Sequence, residues 1–270
     1  MKLSIYTTAK NAIVNDLHVE AMLRHHLPLA DEIVVNEGYS SDDTYERIRN
    51  IDPKIRIFRT HWEAKEAWSV GVKDAARRQT TGDWCIVLDC DEFIPEWEFA
   101  AIRSHLESTQ DTMVPVRFLN FYGNYRVIHA NPDKVRWPAR KMIIHRNRPD
   151  IEVWGDGSNV RLHGQEFTWD TSSKLFTVHH FGMIRDAGVL RHKWWLQSRA
   201  SSGRTTLIKP PLWLFKLMPH DWKDPQFFSD LEIYEGPDVL AVKREPKEFV
   251  RDGMRLVEAL KSRAASRVSA

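Results

Sequence analysis

The chain has 270 residues, 42% hydrophobic and 28% charged, enough for one large domain or a domain with an extension, and too ordinary in composition for a fibre or a disordered tail. Thirty-nine basic residues against 37 acidic ones leave a formal charge of +2, too balanced for nucleic acid or an anionic membrane to be read from the total; any basic patch must be local. No apolar run reaches the roughly 18 residues of a membrane span, and Met1-Lys2 leads straight into a strand-like segment without a signal-peptide core, so the expectation is a cytoplasmic protein, at most peripheral to a membrane. Cys85 and Cys90 lie five apart in a strand-like run, about 16 Å on extended spacing, too far for a disulfide, so reduced thiols are expected.

Apolar runs and amphipathic runs alternate through the first ninety residues. Leu3 to Thr7 reads as a strand, and Asn15 to His26 as a helix with Leu17, Ala21, Met22 and His25 at helical spacing. Glu32 to Asn36 is a second strand, capped into a helix over Asp43 to Asn50 by Ser40, Ser41 and Asp42. Ile55 to Arg59, a helix over Glu66 to Gln79, and Trp84 to Leu88 complete the series, with Thr81-Gly82-Asp83 as punctuation. Such alternation predicts an α/β fold with a mainly parallel sheet and helices on both faces, whose ligands bind at the carboxyl ends of the strands. Later runs, Met113 to Phe118, Tyr125 to Ile128, Lys141 to His145 and Leu175 to His180, predict a smaller mixed portion. The boundary is expected near 187, with residues 188–270 forming an extension rich in tryptophan, proline and lysine that ends in a helix over Pro246 to Arg263.

The sharpest chemical signal is Asp89-Cys90-Asp91-Glu92, acids leaving a buried strand. In extended backbone Asp89 and Asp91 share a side, and two carboxylates held so close repel unless a cation lies between them or one is protonated; the plain alternative is an acidic turn that caps the next helix. Oxygen ligands of this kind suit Mn²⁺ or Mg²⁺, ions that keep positions open for substrate phosphates.

Three ordered segments resemble the family 2 glycosyltransferases, enzymes of the GT-A fold that use nucleotide-sugar donors. They are Glu32 to Gly38 (EIVVNEG) followed by Ser40 to Thr44 (SSDDT), then Thr80 to Glu92 (TTGDWCIVLDCDE), then His179 to Gly182 (HHFG). Asn36 stands where the family has its first acid, Tyr39 is an extra residue, and Trp68 to Gly71 stands where arginine-asparagine is usual. The resemblance implies that Thr7 and Glu37 line a nucleoside pocket, that Asp89 faces ribose and metal, and that Asp91 binds the metal. It implies a third ligand late in the chain; neighbouring strand residues face opposite ways, so one of His179 and His180 can serve, and His180 is favoured. Lys65 is assigned the missing positive charge, and Arg191 or Lys193 the donor diphosphate.

A transfer of this kind needs a base for the acceptor hydroxyl. Trp154 to Ser158 (WGDGS) presents Asp156 between two glycines, with Glu152 and Glu92 in reserve; Arg140, Lys141 and Trp154 are assigned to the acceptor. The alternative for WGDGS is a polar hairpin turn. From Arg185 to Lys223 eight cations face only Asp186 and Asp221, interleaved with Trp194, Trp195, Trp213, Phe215 and Trp222. Three uses remain open: stacking on sugars or bases, seating on a membrane, or packing onto the core. The function these features imply is metal-dependent transfer of a sugar, with inversion, from a nucleotide-diphosphate sugar to a hydroxyl. The acceptor would be a surface glycan, a lipid-linked saccharide or a hydroxymethylated DNA base. The rival readings are a nucleotidyltransferase on a similar core and a silent glycan- or nucleotide-sugar-binding module.

Overall fold

The computed structural model describes residues 1–62, 70–129, 140–155, 157, 159–165, 176–201, 214, 230–239 and 257–263. In chain order the elements are β1 (Leu3–Ala9), α1 (Val19–His26), β2 (Glu32–Glu37), α2 (Thr44–Ile48), β3 (Ile55–Arg59), α3 (Val70–Arg77), β4 (Trp84–Val87), β5 (Glu92–Phe93), α4 (Phe99–Ser108), β6 (Met113–Tyr122), β7 (Asn124–His129), β8 (Arg140–Arg146), β9 (Ile151–Trp154), β10 (Asn159–Leu162), β11 (Phe176–Met183), α5 (Ala187–Ser201) and β12 (Leu231–Ile233). They fall into two compact units. One is drawn from Met1–Leu119, Pro138–His180 and Val239–Arg244, the other from Asn120–Trp137, Phe181–Asp238 and Glu245–Ala270.

The first unit is built on a parallel core. β1 lies between β2 and β4, parallel to both, and β3 continues the parallel edge beyond β2. Strands covered on both faces should be continuously apolar, and Ile33 to Val35 and Trp84 to Val87 are buried without alternation. On the other side of β4 the sheet turns antiparallel, through β8 and then β6. Pro115 cannot donate to a ladder, and the β6–β8 register shifts beside it, between Val114 and Pro115. Gly82 permits the close entry to β4: a Cβ there would lie 2.5 Å from Ser4 Oγ and 2.8 Å from its backbone nitrogen. The mixed, mainly parallel α/β architecture is the one expected.

The first helix is shorter than its periodicity suggested. Residues 11–17 form turns instead, with Asn11 and Asp16 at φ +50°. Their amides are held by side chains of the serine-aspartate segment: Thr44 Oγ1 accepts from Ala12 N (2.7 Å) and Asp42 Oδ2 from Val14 N (2.9 Å). α4 and the separate antiparallel hairpin β9–β10 are additions that the sequence reading did not contain as elements.

In the second unit β12 pairs antiparallel with β7, and β7 with the end of β6. Its core gathers Tyr122, Val127, Met183, Leu190, Leu231, Val257 and Leu260, with Trp194 packed against them. Trp194 thus packs within its own unit; Trp213, Phe215 and Trp222 lie outside the described residues. The described part of the closing helix covers 257–263. Both cysteines are free and buried. Among the described residues no helix is long and apolar enough to cross a membrane.

Candidate active site

β1 and β4 end side by side, with Tyr6 opposite Val87, and Leu88 N still donates to Tyr6 O (3.2 Å). The chain then leaves the sheet. The extended backbone expected for Asp89 to Asp91 is not found: Glu92 N donates to Asp89 O (3.0 Å), and Asp89 N donates to Glu92 Oε2 (2.8 Å), closing a turn from both ends. Within that turn the two aspartates meet different partners.

Asp89 is paired with Lys73, whose side chain is 1% exposed while that of Asp89 is 32% exposed. Lys73 lies on the buried stripe of α3 with Ala76 and Arg77. A lysine on such a stripe needs an acid, because an unpaired buried ammonium is costly. That placement is the sequence signal for Lys73, which the motif reading passed over in favour of Lys65. Lys65 itself lies outside the described residues.

Asp91 faces the other way, into the protein. Its Oδ1 lies 3.8 Å from His180 Nε2, and the two side chains are only 7% and 11% exposed. β11 runs antiparallel to β5 with His180 opposite Glu92 and His179 opposite Phe93. Strand alternation therefore separates the two histidines. His180 meets Asp91 and the edge of Phe118, whereas His179 meets Trp97 and is pushed down to about 4 by burial, with the nearby His25 adding to the effect. Behind the turn, the buried Glu92 carboxylate pairs with Lys141 Nζ (3.3 Å), which also lies over the Phe118 ring (4.3 Å). Burial raises the Glu92 carboxyl, and Lys141 opposes that rise.

The remaining sequence-assigned residues divide as follows. Thr7 is buried at the end of β1, with Oγ1 4.0 Å from Cys90 Sγ. Glu37 is fully buried and accepts from Ser40 N (2.7 Å), Tyr39 N (3.1 Å) and Arg59 Nε (2.6 Å), so it holds the turn after β2. Lys141, assigned to the acceptor, is the buried partner of Glu92, while Arg140 opens β8 half-buried. Trp154 closes β9 under the Arg161 guanidinium, 3.7 Å from its ring centre. Asp156 lies outside the described residues. Its neighbours do not: Gly155 and Gly157 have φ of +67° and +81°, Gly157 N donates to Trp154 O (3.1 Å), and the hairpin of the alternative reading is present. A Cβ on Gly157 would lie 2.9 Å from Lys73 Cδ, so the tip of this hairpin rests on the lysine that holds Asp89. Arg191 and Lys193 are on α5, in the second unit.

The donor set suits a hard or borderline cation. Asp91 and His180 offer one carboxylate and one imidazole, a combination that favours Mn²⁺ over Mg²⁺. Among the described residues no three histidines, cysteines or acids converge into a complete cage.

The class that this arrangement defines is an α/β protein with a carboxylate turn at the end of a central parallel strand. The sequence pattern described as Glycosyl transferase family 2 matches residues 18–185, more than half of the chain, and the protein belongs to that family. No curated protein matches it in sequence. Among solved structures it is similar to S. aureus TarS (14% identity, TM-score 0.38, covering 54% of this chain and 28% of that one) and to TarS 1–349 (11%, 0.42, 85% and 79%). It is also similar to glucosyl-3-phosphoglycerate synthase from Mycobacterium tuberculosis, solved with Mn²⁺, UDP and glucosyl-3-phosphoglycerate (20%, 0.33, 45% and 45%). The chain thus spans less than half the length of full TarS and of that synthase.

Proposed function

We propose that this protein is a glycosyltransferase that moves a sugar from a nucleotide-diphosphate donor to an acceptor hydroxyl with inversion. The observation that carries the reading is the approach of Asp91 to His180 at the carboxyl end of β4, beside an Asp89 already neutralised by Lys73. Asp91 and His180 would hold a Mn²⁺ or Mg²⁺ ion. Such an ion, when bound, supplies positive charge to the diphosphate as it departs. Lys73 pairs with Asp89 and directs it, so that the exposed side of its carboxylate is available to donor hydroxyls. Glu92 and Lys141 hold the turn from behind and are positioning residues.

Asp156 is the proposed base. It would accept the acceptor hydroxyl's proton as the oxygen attacks the anomeric carbon and the bond to the nucleoside diphosphate breaks. The contact of Gly157 with Lys73 supports this, because it brings the hairpin tip to the donor carboxylate turn. Thr7, Glu37 and the turn Glu37 holds are assigned to the nucleoside side, at the ends of β1 and β2. The test is a thermal-shift screen of uridine, guanosine, adenosine and cytidine diphosphate sugars with and without Mn²⁺. Stabilisation by one of them that depends on Mn²⁺ and disappears in Asp91→Asn is expected. Indifference to all donors would overturn the proposal, and release of inorganic pyrophosphate from a nucleoside triphosphate and a sugar 1-phosphate, with no nucleoside diphosphate released from any sugar donor, would convert it to a nucleotidyltransferase.

A further inference from the structure

A cavity of about 480 Å³ opens along the flank of α3, between that helix and the β9–β10 hairpin, a volume typical of small-ligand sites. None of the residues in the carboxylate turn lines it. It starts at Val70 and Gly71, where a Cβ on Gly71 would meet nothing within 4 Å, and reaches Arg77 and Arg78 about two turns further along the helix. Its wall sets charged side chains among Val70, Pro149 and Ile151. Asp74 takes the Nε–H of both Arg77 (2.6 Å) and Arg78 (2.7 Å). Opposite, Asp150 is held by Arg148 and faces His163 Nε2 (3.1 Å), and Glu152 accepts from Arg161 Nε (2.7 Å).

The lining decides the ligand class. Asp74, Asp150 and Glu152 are each paired with arginine, Asp74 with Arg77 and Arg78, Asp150 with Arg148 and Glu152 with Arg161, so the wall presents matched ion pairs rather than a cluster of one sign. Val70, Pro149 and Ile151 are too few among charged neighbours to seat an acyl chain. What such a wall of fixed, planar acceptors and donors suits is an uncharged, hydroxyl-rich molecule, each hydroxyl of which both donates and accepts.

The cavity is also connected to the chemistry. Glu152 and Trp154 lie on one face of β9, two residues apart, and Arg161 spans them, bound to Glu152 and stacked on Trp154. Trp154 is the last residue before the tip that rests on Lys73. We infer that the cavity between α3 and the β9–β10 hairpin is an acceptor subsite for a neutral oligosaccharide, with Trp154 and Arg161 as the path from it to the reacting end. This rests on the glycosyltransferase reading and selects, among its acceptors, the neutral glycan over the DNA base and the lipid tail.

The test uses the full chain on an array of uncharged oligosaccharides, with sulfated and sialylated glycans and a DNA duplex as anionic probes, alongside separate donor thermal shifts. Retention on a neutral glycan is expected, reduced at least 10-fold by Gly71→Leu, which fills the open flank of α3, and by Glu152→Gln. Melting temperatures close to wild type confirm that both variants fold. Retention only on anionic probes, no retention on any neutral glycan, or neutral retention that survives both substitutions would overturn the subsite. A wild-type protein that binds neutral glycan through this cavity yet shifts with no donor would uphold the subsite and sink the transferase reading, so the two failures are distinguishable.

Discussion

The two flanks of the Asp89–Glu92 turn solve the same electrostatic problem in opposite ways. On the α3 flank the protein supplies its own cation: Lys73, buried, neutralises the more exposed Asp89. On the β11 flank Asp91 lies 3.8 Å from the His180 imidazole, a group that can ligate a metal. Two aspartates one residue apart are therefore not a symmetric pair. One is paired with a buried lysine, and the other lies beside an imidazole, the pair proposed above as metal ligands.

The comparison can be broken most sharply at Asp91. Asp91→Asn should reduce transfer by about 10³-fold or more while the fold survives, the scale of losing a group that acts on developing charge; a rate within a few-fold of wild type in a donor-turnover assay contradicts it. Asp156→Asn comes next, with a loss of at least about 10²-fold and donor affinity retained, because a missing base slows the chemical step and spares binding. Equal losses in donor affinity and rate would reassign Asp156 to binding.

On the α3 flank, Lys73→Met should cost about 1 to 3 kcal/mol of stability in urea melts, since Asp89 loses its partner but keeps partial contact with water. Lys73→Met combined with Asp89→Asn should recover part of that loss, and a double variant no better than the single one would show that the pair is not the cause. His180→Ala should weaken Mn²⁺ binding more than His179→Ala, and the reverse ranking would exchange their roles.

The last effect is spread over the fold rather than confined to the site. Burial lowers His145 and His179 to about 4 and His26 well below its usual value, so these rings are neutral in the folded protein and take up protons on unfolding below pH 6.5. Stability present above that pH should be lost as pH falls from 6.5 towards 4, by up to about 1.4 kcal/mol per pH unit for each histidine. His145 shows why: its Nδ1 bonds to Arg146 O (2.8 Å) and its Nε2 to the Tyr6 hydroxyl (3.1 Å), a set that suits one neutral tautomer. Urea midpoints that do not move between pH 7 and pH 5 would refute this.

Much of the first unit was legible because β1, β2 and β4 are buried almost throughout and read as largely apolar runs, and β3 falls where the sequence puts it although only Ile55 in it is buried. The start of α1 was not, since Asp42 and Thr44, some thirty residues away, hold the preceding loop in turns that local periodicity cannot report. α4 was missed because few of its residues face a core; only Ile102 and Leu106 are buried. At the site, the alternation that separates His179 from His180 could be read from the strand, whereas the Lys73–Asp89 and Glu92–Lys141 pairings could not. Those are contacts between elements 16 and 49 residues apart, and sequence spacing carries no distance across such gaps.

The most direct test of the asymmetric turn is titration of Mn²⁺, in the presence of whichever nucleoside diphosphate stabilises the protein, into Asp89→Asn and Asp91→Asn side by side. Loss of binding in Asp91→Asn, with affinity in Asp89→Asn within about 10-fold of wild type, is the predicted result. Equal loss in both, or the opposite order, would contradict the account.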